Sequence, residues 1–305
     1  MLIATRTAVH TFAAGQDWPR RLCQGPVART DQAGERIVAA MQDGTVLFFA
    51  PGGATEVRSD IAGHITSLLL LPGRQEVLIG TEPPHLYLQG GQGPARRVEA
   101  FDRLECRRRW RTPWGGPPAV RSLAGTPDGW VYADIHVGSI MRSPDAGVSW
   151  APVGAGLDED VHQVATCPGA PHRVYANTAQ AVYVSDDRGH AWQHRSNELE
   201  GRYGRAIAVY PQRPDWLLAS VSDGPHEGDV HAELYRTTDA GRHWLHVTEG
   251  FPPSGPANID TYHLAFSGDG DAWAAIDHTL YLSTDAGHHW RKAWQADEPI
   301  RMLVG

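Results

Sequence analysis

Ser283-Thr284-Asp285-Ala286-Gly287-His288-His289-Trp290 is a stretch that the chain states four times. The other copies are Ser143 to Trp150 (SPDAGVSW), Ser185 to Trp192 (SDDRGHAW) and Thr237 to Trp244 (TTDAGRHW). Each reads Ser/Thr-x-Asp-x-Gly-x-x-Trp, and successive copies start 42, 52 and 46 residues apart. Self-similarity at such a period means a repeat architecture. Within each copy, a hydroxyl and a carboxylate two residues on can hydrogen-bond the backbone of a tight turn, and Gly supplies a positive φ. The Trp opens the next strand and buries a large ring. Strand-like runs such as Ala181-Val182-Tyr183-Val184 and Thr279-Leu280-Tyr281-Leu282 precede the copies. Each copy therefore sits on a hairpin, and its role is to build the protein.

This motif resembles the Asp-box, or bacterial neuraminidase repeat. The chain is similar to the sialidase-like β-propellers that carry it over about residues 119–297. The resemblance implies an all-β, seven-bladed β-propeller of four-stranded antiparallel blades, with function left to the site. Seven repeats of roughly 44 residues fill residues 1–305 as a single domain. Leu2 to Arg21 reads as the outer strands of an incomplete blade, followed by Val27 to Ile61 and Ile65 to Val98. Later blades begin near Val120, Val161, Arg205 and Tyr262. Ile300-Arg301-Met302-Leu303-Val304 resembles the opening strand of every other repeat and has none of its own to follow. It is expected to pair with the N-terminal strands and close the ring, which removes exposed sheet edges.

Composition narrows the function. A formal charge of −8 and a pI near 6.0 weigh against a general nucleic-acid or anionic-membrane binder. No apolar run reaches the ~18 residues of a membrane span, and the N-terminus carries no export-signal pattern. Cys23, Cys106 and Cys167 are odd in number and lack metal spacing, which fits reduced thiols and a cytoplasmic location. The longest non-repeating insert, Phe101 to Pro118, holds Arg107-Arg108-Arg109-Trp110-Arg111 and Trp114 and reads as a solvated, partly packed loop.

The candidate site follows from aligning the inner strands on the turns that end them (Pro72, Pro127, Cys167-Pro168, Pro211, Asp269). Six residues earlier stand Thr66, Arg121, His162, Arg205 and His263, with Arg301 in the matching place of the last strand. These side chains should ring the mouth of the central channel. Two residues further on, Leu68, Leu123, Val164, Ile207, Ala265 and Leu303 are expected to plug it. Glu82-Pro83-Pro84-His85 and Asp134-Ile135-His136 occupy corresponding loops at the same mouth. Asp160 precedes His162, and Tyr203 precedes Arg205. Neutral imidazoles with a carboxylate suit a divalent metal ion, and arginines suit a carboxylate, sulfate or phosphate.

Two classes of function fit. In the first, a cytoplasmic enzyme hydrolyses or eliminates from a small anionic molecule, without an organic cofactor. Arg121, Arg205, Arg301 and Trp114 would bind it. His85, His136, His162 and His263 would hold metal, and Glu82, Tyr203 and His162 would move protons. In the second, the chain is a non-enzymatic scaffold, as in the Asp-box photosystem assembly factors it also resembles, offering Arg107 to Trp114 as a patch. A sialidase is disfavoured, because the Arg-Ile-Pro segment of that family is absent and Arg36-Ile37 runs into Val38. A two-carboxylate glycosidase would draw on Glu82, Asp160 and Glu227.

Overall fold

Alternating apolar and small residues give short strands that pair with their chain neighbours, and seven four-stranded antiparallel sheets result among the described residues. The computed structural model describes every residue except 14, 51–52, 92 and 226–227. His226 and Glu227 therefore lie outside the described residues. The sheets form a closed seven-bladed β-propeller. Its inner strands are Ile300–Val304, Val27–Ala33, His64–Leu70, Val120–Gly125, Val161–Thr166, Tyr203–Val209 and Leu264–Phe266, here numbered as blades one to seven. Blade one is assembled from both ends of the chain, with Leu2, Ile3 and Ala4 paired to Val304, Leu303 and Met302.

Seven apolar clusters fill the interfaces between neighbouring blades. The residues expected to plug the channel are divided among these clusters. Leu68, Leu123, Val164 and Ile207 each belong to a different one, and Ala265 shares another with Leu303. They pack sideways between blades instead of forming a common floor, because period-two alternation points each inner-strand residue at a neighbouring sheet.

The four octapeptides share one hydroxyl–carboxylate turn. In the last, Ser283 Oγ donates to Asp285 Oδ1 at 2.7 Å and accepts Gly287 N–H at 2.9 Å. Asp285 Oδ1 accepts the N–H groups of His288 and His289 at 3.1 and 2.9 Å. Two residues per turn are left-handed, Ala286 at φ 57° and Gly287 at 90°, so the glycine shares the strained conformation with its predecessor. Trp290 is 5% exposed and donates to Gly287 O. The turns lie between the third and fourth strands of blades four to seven.

Partial burial works against the charge of Asp145, Asp239 and Asp285, but the loop N–H and hydroxyl donors prevail and hold these carboxyls below their usual range. For Asp239 the value falls from 3.8 to about 2. A depressed carboxyl stabilises the fold above its unfolded value and loses that contribution as pH falls through the folded one. The thermal midpoint is therefore expected to drop steeply between about pH 4 and pH 2. Asp239→Asn should lower the midpoint at neutral pH and shrink this acid-induced drop; an unaltered pH profile would contradict the assignment.

The insert is more structured than a solvated loop. It forms a helix at Glu99–Asp102 and a 3₁₀ turn at Glu105–Arg109. Phe101 is fully buried against Trp110 and Trp150, with ring centroids 5.5 and 5.4 Å away, and the Arg107 guanidinium stacks over Trp110. No helix among the described residues is long and apolar enough to cross a membrane.

Candidate functional site

At one end of the propeller axis a funnel of about 680 Å³ opens. Its wall is made by a repeated irregularity in the inner strands. Thr66, Arg121, His162 and Arg301 are each the unpaired residue of a β-bulge, and Arg205 with Ala206 faces one partner position. A bulge bends its strand and re-aims the extra side chain. Thr66, Arg121, Arg205, His263 and Arg301 line the funnel, joined by Glu82, Trp114, His136 and Tyr203. His162 lies behind that wall and is fully buried.

Arg29, Asp260 and Tyr262 also line the funnel, and counting back from the turns does not find them. Blade two ends its inner strand at a Gly34 turn without proline, so it offers no anchor for the count. Arg29 Nε donates to Thr66 O at 2.6 Å, which ties blade two to blade three. The segment before blade seven dips to the axis and forms the funnel's floor. Thr261 Oγ1 donates to His162 O at 2.9 Å, and Tyr262 N–H donates to Gln163 Oε1 at 3.1 Å. The Tyr262 hydroxyl crosses to blade four and accepts Leu123 N–H at 3.2 Å. Tyr262 takes φ 67°, rare for a bulky residue and held here by contacts from three blades.

The arginines are incompletely satisfied. Arg205 is 5% exposed, approaches Asp260 Oδ1 at 3.4 Å and stacks over the Tyr203 ring at 5.2 Å. Its Nε and the Nη1 of Arg121 are buried without a hydrogen-bond partner. Burial, and then the like charge of Arg205, pull the Arg121 guanidinium below its ordinary value. Both groups would gain from an anion between them. Burial pushes the Tyr203 hydroxyl up, keeping it protonated.

The four histidines expected to hold metal separate. His136 and His162 meet Asp160, with all three ligand atoms within 4.8 Å of one another. His85 is instead held by Asp102, its Nδ1 2.7 Å from Oδ1, and by Arg97. The insert before blade four supplies that carboxylate, so His85 stands apart from the cluster. His263 lies across the funnel, where its Nδ1 accepts the N–H of Asp260 at 3.3 Å. Burial lowers His136 to about 4, with Arg121 acting in the same direction, and burial likewise lowers His162. Both imidazoles are therefore neutral at pH 7. Trp114 is 69% exposed and rests against His136, with centroids 4.8 Å apart.

Blades and funnel together place the chain among the seven-bladed β-propellers. A family model described as Sortilin-Vps10 (sortilin, neurotensin receptor 3) matches residues 138–252, which run from the third strand of blade four through blade six and include three of the four octapeptides. An ancestral GH74 enzyme is similar in structure, with TM-score 0.67 at 16% identity over 88% of this chain and 38% of its own. The GH74 xyloglucanase from Xanthomonas campestris is similar with TM-score 0.62 at 16% identity, over 87% and 45% respectively. YCF48 bound to D1 peptide gives 0.61 at 15% identity, over 96% of this chain and 83% of that one. The chain thus spans less than half the length of either GH74 enzyme. At these identities the likeness is one of fold. No curated protein matches the sequence.

Proposed function

We propose that this chain is an Asp-box propeller of the sialidase-like kind that binds a small anionic molecule in the axial funnel and hydrolyses it or eliminates from it. The carrying observation is that Arg29, Arg121, Arg205 and Arg301 line one cavity in a protein of net charge −8, while two of them hold buried, unpartnered donors. Guanidinium forks suit carboxylate, sulfate or phosphate groups. Arg121, Arg205 and Arg301 would neutralise the ligand, and Trp114 would cover its less polar face. The protonated Tyr203 beside His162, centroids 4.6 Å apart, would serve as acid, and Glu82 as base. Three free cysteines suit a reducing, cytoplasmic setting.

A second reading draws on length, since the chain covers most of YCF48 but under half of the GH74 enzymes. In it the funnel grips an acidic side chain or terminus of a partner peptide, and no bond is broken.

Calorimetry with a dicarboxylate, a uronic acid, a sialic acid, a sugar phosphate and an acidic peptide, followed by NMR for turnover, separates the readings. Binding of at least one small anion is expected, weakened about 10-fold or more in Arg205→Gln, since a charged hydrogen bond contributes ~1.5–3 kcal/mol. Product peaks support the enzyme, and peptide binding without them supports the second reading. Failure of every anion to bind, or full binding by the variant, would overturn both.

A further inference from the structure

We propose that His136, Asp160 and His162 bind one divalent transition-metal ion of the zinc type in the wall of the funnel. The inference is separate from the anion reading, because it rests on three other side chains and their unmet bonding capacity.

The three residues come from adjoining blades and are fixed by backbone bonds. His136 follows the second strand of blade four, and its N–H donates to Ala119 O at 3.1 Å. Asp160 closes the loop into blade five, its N–H on Asp158 Oδ1 at 2.9 Å and its carbonyl accepting Ala179 N–H at 2.9 Å. His162 is the bulge residue of the strand that follows. Ligand atoms about 2.0–2.1 Å from a tetrahedral centre lie roughly 3.4 Å apart. Asp160 Oδ1 is 3.2 Å from His162 Nε2 and 3.7 Å from His136 Nε2. The ligand nitrogens of the two imidazoles lie within 4.8 Å of each other, so they must close by up to about 1.4 Å to meet on one ion.

The decisive feature is the tautomer of His162. Its Nδ1 faces the Gly204 carbonyl at 2.5 Å, and a carbonyl only accepts, so Nδ1 carries the proton. With Nδ1 committed to that carbonyl, Nε2 faces Asp160 Oδ1 at 3.2 Å in a fully buried position, yet the two are not aligned for a hydrogen bond and neither atom has another partner. Two acceptors facing each other out of reach of water call for a cation between them. A backbone carbonyl holding the far nitrogen of a ligand histidine is also the usual outer support of a metal site.

Two imidazoles and one carboxylate favour zinc and its late first-row neighbours over magnesium or calcium, which prefer oxygen ligands. Three protein ligands leave a fourth position, and His136 is the member that lines the funnel, so this position faces the cavity. Arg121 opposes a further positive charge here, while Asp160 offsets half the charge of the ion.

The test is metal content. Protein stripped with a chelator and dialysed against Zn²⁺ or Co²⁺ should take up one equivalent, and Co²⁺ should give the strong visible bands of a tetrahedral site. His162→Ala and His136→Ala should each weaken uptake at least 100-fold, whereas His194→Ala on the outer edge of blade five should leave it unchanged. If His162→Ala fails to fold because that ring is buried, His136→Ala decides, since His136 sits at the cavity edge. No stoichiometric uptake by the unaltered protein, or full uptake by His136→Ala, overturns the proposal. Neither readout involves turnover, so a missing substrate and a missing metal remain distinguishable.

Discussion

Deleting residues 300–305 is expected to leave the protein without cooperative folding at 25 °C. The deleted strand provides Ile300, Met302 and Leu303, which are 1%, 3% and 2% exposed and belong to the clusters on both sides of blade one. Burying such side chains contributes ~1.5–3 kcal/mol each, or roughly 5–9 kcal/mol together. A domain's whole margin is ~5–15 kcal/mol. The deletion also strips the inner edge of Leu2–Thr5 of its partner and removes the Leu303 N–H that holds Tyr262 O at 2.8 Å. Circular dichroism, a denaturant titration and size-exclusion chromatography should report an expanded or aggregated chain. Residues 297–305 placed ahead of Met1 should restore a cooperative transition, because Val304 already pairs with Leu2 and a short turn can join them. A truncated chain with an unchanged transition would mean that closure contributes little.

The same strand illustrates what was readable in the sequence. The octapeptides are local: hydroxyl, carboxylate and glycine lie within four residues, so their pattern survives without knowledge of the fold. The closing strand was legible because its apolar alternation had no sheet left to join except the first. The site was legible only in part. Counting from a proline turn finds Arg121 and Arg205, because a bulge recurs at one distance from that turn, and Arg301 is found by its matching place in the last strand. Arg29 escapes the count because its strand ends at Gly34. Tyr262 escapes because its role rests on contacts with residues about 40 to 140 positions distant, made from a strained backbone with no sequence signature. His85 misleads because Asp102, its partner, comes from an insert with no counterpart in the other repeats.

Arg121→Met is expected to stabilise the ligand-free protein while weakening anion binding, and this pairing separates a binding residue from a structural one. Arg121 Nη1 is buried with no partner, and burial together with the charge of Arg205 already makes the guanidinium costly to keep ionised. Asp134 and then Asp260 reduce that cost, but Asp134 is already held by the Ser122 hydroxyl and N–H, and Asp260 stands 3.4 Å from Arg205, the arginine it serves first. Methionine keeps most of the length and apolar stem and discards the unpaired charge. Exchanging imperfectly satisfied buried charge for packing gains ~1–2 kcal/mol in comparable cases. In differential scanning calorimetry the midpoint should rise by a few degrees. Affinity for the best anion should fall about 10- to 100-fold, since a charge-assisted contact is removed from a site where water competes poorly. A structural arginine gives the reverse pattern, with a lower midpoint and unchanged affinity. That outcome would remove Arg121 from the site. A rise in stability at constant affinity would leave the excess charge of the funnel without a ligand to explain it.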